Sequence, residues 1–191
     1  AMSARRIVLG LDAGTPLRDL EAATALAART GAELMGLFVE DIALLQFAAL
    51  PFAHEIGGAS AARRSLDVAS VERSLRALAA EAERMLAGTA GRSEVRWSFR
   101  VARGVLVDVL LAAASDPPAV EPGAEIRLLL LGDGDAPAER WTEHVRTELA
   151  GREPAPRVRI QHAASASDLA RLTHEFAAPV LIVPVRMLRR P

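Results

Sequence analysis

Two short turns hold the residues best suited to chemistry. One, Asp12-Ala13-Gly14-Thr15, follows the apolar run that begins at Arg6; the other, Gly132-Asp133-Gly134-Asp135, follows Leu128 to Leu131. Both place glycine, which lets backbone approach a ligand closely, just ahead of a predicted helix start, where free N–H groups and the helix dipole favour an anion. Open parallel sheets bind ligands at such strand ends, near the point where the winding reverses. Asp12, Gly14, Thr15, Gly132, Asp133 and Gly134, with Val39 at the end of the second strand, are therefore the candidate nucleotide crevice, on the condition that the two strands are neighbours. The alternative stays open that short acidic and glycine turns merely let a strand reverse into a helix. Gly132-x-Gly134 lacks the third glycine of a dinucleotide fingerprint, and Asp133 and Asp135 repel phosphate unless a cation intervenes.

Other chemistries find less support in the residue types. All 23 basic residues of the 191-residue chain are Arg, so no phosphate-loop lysine, Schiff base or kinase strand lysine is available. The four histidines, His54, His144, His162 and His174, form no HExxH pattern and have no Cys beside them, and no Gly-x-Ser-x-Gly elbow occurs. A catalytic residue and a metal site are accordingly not expected. With 23 basic against 24 acidic residues there is no basic field to hold nucleic acid. Apolar runs fall well short of the roughly 20 residues of a membrane helix, and the opening residues lack an apolar signal core. The absence of Cys agrees with a cytoplasmic setting.

The elements that must position these turns follow from periodicity. Residues 6–11 read as a buried strand. A helix over 16–30 follows, with Thr15 as its cap, Pro16 at its first position and Gly31 at its left-handed end. Residues 33–39 read as a second strand, apolar on both faces as a covered parallel strand should be. Val71, Leu75, Leu78, Ala82 and Met85 recur at helical intervals, with Ser70 as cap and Gly88 as terminus. Residues 95–101 alternate apolar and polar, which predicts a strand with a wetter face at the sheet edge. The helix after Gly104 is apolar all round except at Asp108, which predicts deep burial. A strand over 125–131, helices over 137–150 and 167–176, and strands over 157–161 and 180–183 complete the pattern. Ser165 and Asp168 are spaced as a capping box.

The expected organisation is one α/β domain over 1–191, an open, mostly parallel sheet of five or six strands with helices on both faces. An insertion at about 41–70 and a linker-like stretch at 116–123 interrupt it. The strand, Asp/Gly turn, helix and strand of residues 6–39 recur at 127–161, so 124–184 reads either as a degenerate second repeat or as the ordinary grammar of a doubly wound sheet. The apolar run between Leu44 and Phe52 is read either as a lid or as a docking surface for a second subunit or another protein. The last strand is a further candidate for pairing across subunits.

These residues resemble the universal stress protein family. Residues 6–12 look like its first strand, whose terminal Asp contacts adenine in nucleotide-binding members. Residues 25–41 resemble its first helix and second strand, and residues 95–114, with an Arg-Gly joining strand to apolar helix, its third unit. Leu128 to Gly132 look like the fourth strand and the segment APVLIVP at 178–184 like the closing one. The resemblance implies a Rossmann-like fold, a homodimer and a role in stress response. ATP-binding members carry Gly-x-x-Gly, nine further residues, then Gly-Ser or Gly-Thr after the fourth strand; Gly132-Asp133-Gly134-Asp135-Ala136-Pro137 offers no equivalent. The resemblance thus implies a non-enzymatic member acting through protein association, with ATP binding weak or lost. The alternative is an adenine-nucleotide sensor or slow ATPase, binding ATP or AMP at Asp12 and residues 132–135.

Overall fold

The computed structural model describes residues 6–42, 46, 49, 54–56, 63–65, 67–115, 125–132, 138–151, 157–172 and 180–188. The chain runs β1 (Arg6–Leu11), α1 (Leu17–Thr30), β2 (Glu33–Asp41), β3 (His54–Ile56), β4 (Arg63–Ser65), α2 (Val68–Arg92), β5 (Trp97–Gly104) and α3 (Leu106–Ser115). It continues through β6 (Ile126–Leu131), α4 (Ala138–Leu149), β7 (Val158–Ala163), α5 (Ala166–Leu172), β8 (Val180–Pro184) and a 3-10 turn, η1 (Val185–Leu188). Six strands form one all-parallel sheet in the order β5-β2-β1-β8-β6-β7, while β3 and β4 pair antiparallel as a separate hairpin.

Strict alternation within the strands divides the core into two layers. Ile7, Leu9 and Leu11 of β1, Leu129 and Leu131 of β6, and Val180 and Ile182 of β8 face α1, α2 and α5. Val8, Leu128, Leu130, Leu181 and Val183 face the opposite side, with Leu110 and Leu111 of α3 and Val145 of α4. The units β1-α1-β2 and β6-α4-β7 move outward in opposite directions from β8, so right-handed crossovers place their helices on opposite faces. Burial of a leucine such as Leu9 or Leu129 contributes about 1.5–3 kcal/mol.

Local chemistry accounts for the departures from the expected boundaries. Pro16, not Thr15, occupies the cap of α1 and, with no polar side-chain atom, makes no cap bond, while the Thr15 hydroxyl is engaged with Asp12. Gly31 closes α1 at φ 65°, the left-handed conformation expected of it. The helix α2 starts three residues before Val71, capped by Asp67 rather than Ser70, whose own N–H donates to the Asp67 carboxylate. It runs through Gly88 to Arg92, since packing of Leu86 and Ala90 outweighs the glycine's helix penalty. Ser165 caps α5 as expected, accepting from the Asp168 N–H at 3.2 Å. Helix α3 is buried over Leu110, Leu111, Ala113 and Ala114, but Val105, just before it, is 49% exposed, so deep burial holds for its second half.

Strand β5 is an edge, as its alternation predicted. The last strand is not: β8 lies between β1 and β6 and pairs with both, which removes it as a site of pairing across subunits. The stretch 116–123, Leu44 and Phe52 lie outside the described residues. Among the described residues no helix is long and apolar enough to cross a membrane.

Candidate functional site

The Asp12 turn is held mainly by its own side chains. The Asp12 N–H donates to Thr15 Oγ1 at 2.9 Å, and that hydroxyl in turn donates to Asp12 Oδ1 at 3.1 Å. The Gly14 N–H donates to the same carboxylate oxygen at 3.0 Å. A third group arrives from a distant part of the chain: Arg186 Nη2 of η1 lies 3.3 Å from Asp12 Oδ1. Val185, Met187 and Leu188 are buried and anchor η1, which leaves the Arg186 side chain to reach across from the end of β8 to that of β1. The guanidinium lies directly over Gly14, where any Cβ would collide with it. Glycine is needed there for this close approach.

The condition for a shared crevice is not met, because β8 separates β1 from β6. Two hollows open instead on the α1 side, each of about 220 Å³. One is lined by Asp12, Thr15 and Leu20 together with Leu78, Glu81 and Met85 of α2. The other is lined by Arg18, Asp19 and Ala22 of α1, by Leu131 and Gly132, and by residues 164–166. The first turns of α1 stand between them. Gly132 adopts φ 124°, in the region that favours glycine, and its carbonyl accepts from His162 Nε2 at 3.0 Å, so that ring nitrogen carries the proton. His162 is thus a brace for Gly132 at the end of β6. Val39 belongs to the opposite core layer and lines neither hollow. Asp133 and Gly134 lie outside the described residues, as do His174 and the side chains of His54 and His144.

A charged network stands at the same end of the sheet, over β2 and β5. Arg103 Nε donates to Glu40 Oε2 at 3.1 Å, and its Nη2 reaches Glu72 Oε1 of α2 at 3.3 Å. Glu40 is buried and needs this partner, since an unpaired buried carboxylate is costly. The hydrogen bond to Glu40 leads the causes that hold the Arg103 guanidinium above its ordinary pKa. Among the described residues no group of three or more His, Cys, Asp or Glu is placed to hold a metal ion.

The principal residue missed in the sequence is Arg186. Its partner lies 174 positions earlier, and no local pattern marks the pairing. Glu40 and Arg103 share a register position across β2 and β5, which becomes visible only once those strands are paired.

No protein-family model matches the chain, and no curated protein matches it. Among solved structures it is similar to a protein of the universal stress protein family from Burkholderia pseudomallei, at 17% identity over 96% of this chain and 98% of that one, with a TM-score of 0.43. It is similar also to a universal stress protein in complex with cAMP, at 17% identity over 95% of this chain and 97% of that one, with a TM-score of 0.43.

Proposed function

We propose that the chain is a non-enzymatic, universal stress protein-like protein that acts in a bacterial-type stress response through association with proteins, with adenine-nucleotide binding weak or lost. One observation carries the nucleotide part of this reading: the Asp12 carboxylate already serves the Gly14 N–H, the Thr15 hydroxyl and Arg186. A nucleotide base seeking Asp12 Oδ1 competes with three internal partners, all of them on that one carboxylate oxygen. Gly132 lies across the start of α1 from Asp12, so no single small ligand bridges the two hollows without displacing the helix start. Each hollow is also smaller than the roughly 300–1,000 Å³ of ordinary ligand sites. The reading includes a homodimer in a cytoplasmic setting, and a docking role for the apolar run between Leu44 and Phe52.

The hollow beside Asp12 also favours a second reading, an adenine-nucleotide sensor or slow ATPase. Its apolar walls, Leu20, Leu78 and Met85, converge with the carboxylates of Asp12 and Glu81 in the manner of a site for a planar base. Calorimetric titration with ATP and AMP, with and without Mg2+, separates the two. The first reading expects no saturable heat below millimolar nucleotide. Micromolar binding that disappears in Asp12→Ala overturns it in favour of the second.

A further inference from the structure

The hollow beside Asp12 is apolar in its walls and acidic at its border. Leu20 of α1 is buried in its wall, and Leu78 and Met85 of α2 pack only partly against the core, with the rest of their surface at the hollow. Two carboxylates border it, those of Asp12 and the exposed Glu81, and among the described residues that line it there is no Arg or His. Arg186 offsets Asp12 without lining the hollow. It meets Oδ1, as do the Gly14 N–H and the Thr15 hydroxyl, so among the described residues no donor reaches Oδ2. Arg84, close to Glu81 on α2, donates instead to the Ala80 carbonyl at 3.3 Å. Two carboxylates and one guanidinium leave the site with a net negative charge, and the polar atoms open to a ligand are acceptors.

We propose that this hollow binds a compact organic ammonium ion, a small apolar or aromatic body carrying one primary amine. A protonated amine has three donors and no acceptor, which matches a site whose open polar atoms are Asp12 Oδ2 and the Glu81 carboxylate. Both carboxylates keep contact with water, so the cation is held without being fully desolvated. The body of the ligand covers Leu20, Leu78 and Met85 and removes their surface from water, and the Met85 sulfur is a favourable neighbour for a ring. Size sets the upper limit. A dry cavity of about 150 Å³ takes benzene, so a hollow of about 220 Å³ takes a ring with a short aminoalkyl arm and little more. A nucleoside monophosphate, by contrast, carries about two negative charges at neutral pH, and the lining offers it no cation. The inference rests on the reading that nucleotide binding is weak or lost, since the two ligands would occupy the same space.

Phenethylammonium is the probe, with phenethyl alcohol and phenylpropanoate as its neutral and anionic counterparts, titrated into the full chain at neutral pH and followed by amide NMR and calorimetry. The ammonium ion is expected to bind saturably with a Kd of about 1 mM or below, shifting the amide signals of Thr15 and of Leu78 to Met85. The alcohol should bind about tenfold more weakly, and the carboxylate not at all. Glu81→Gln should weaken the ammonium ion by about threefold. Glu83→Gln makes the same charge change at an exposed residue of α2 that does not line the hollow, and should leave the affinity unchanged. Alcohol and ammonium binding equally, equal losses in the two glutamine variants, or shifts confined to other residues overturns the proposal. So does the absence of saturable binding by any probe; if AMP is silent as well, the weak-nucleotide reading stands and this proposal alone falls. AMP binding more tightly than the ammonium ion overturns both.

Discussion

Gly36 is where α2 closes on the sheet, and replacing it tests the packing that shapes the Asp12 hollow. A Cβ at this position would lie 2.6 Å from Leu86 Cδ2, 2.9 Å from Leu11 Cδ1 and 3.3 Å from a Phe99 ring carbon. Leu86 and Leu11 are fully buried, so relief requires a strained rotamer or an outward shift of α2. Overpacking of this kind costs about 1–3 kcal/mol, offset by at most about 1 kcal/mol because alanine loses less chain entropy than glycine on folding. The expected net loss for Gly36→Ala is about 1–2 kcal/mol, a fall in midpoint of about 2–8 °C for a chain of this size. Urea unfolding with an unchanged m-value measures it. Shortening the opposing side chain with Leu86→Val should relieve the clash, so the double variant should be more stable than the sum of the single losses predicts, by about 1 kcal/mol. A Gly36→Ala loss below about 0.5 kcal/mol together with strict additivity would falsify the claimed contact. Since α2 also supplies Leu78, Glu81 and Met85, the same variant should widen the hollow.

Thr15→Val removes both hydrogen bonds between Thr15 and Asp12 and should cost about 1–2 kcal/mol in chemical denaturation; a neutral result would show that the turn does not need them. Arg186→Ala should cost no more than about 1 kcal/mol, because the pair with Asp12 is partly solvated. Gly14→Ala should destabilise the wild-type chain more than it destabilises Arg186→Ala, in which the obstructing guanidinium is gone, and equal losses in the two backgrounds would sink that account. Asp67 accepts from the Ser70 N–H and hydroxyl, which hold its carboxyl below the ordinary aspartate pKa. Its stabilisation of α2 is therefore present above about pH 4 and lost as pH falls through the lower folded value. The stability difference between wild type and Asp67→Asn should shrink over that acid range, and a pH-independent difference would contradict the assignment.

The legible parts of this molecule were those governed by local periodicity. Runs such as Leu128 to Leu131 announce buried strands, the alternation around Phe99 announces an edge, and Gly31 announces a helix end, because each depends on residues within a turn or two. Strand order depends on pairings made far apart in the chain. β8 and, apart from Arg127, β6 have the same apolar character, and nothing in either says which neighbours β1. Asp12 and Gly132 were therefore legible as strand-end residues, whereas their separation by β8 was not. Caps were misplaced where two candidates stood close together. Asp67 displaced Ser70 by using Ser70 as its donor, and Thr15 turned back to Asp12, whose N–H and carboxylate both engage its hydroxyl.

The position of β8 bears on how the chain can be assembled. Emerging in order from the ribosome, β1, β2 and β5 can form one half-sheet and β6 and β7 another, but neither half has a partner for its inner edge until β8 is made. The central seam of the finished sheet is thus the last to be sewn. Until then two open edges rich in Leu, Ile and Val face water, at the stage when parallel sheets are slowest to close and most exposed to aggregation. The strand completed last is thus the one on which the two halves depend.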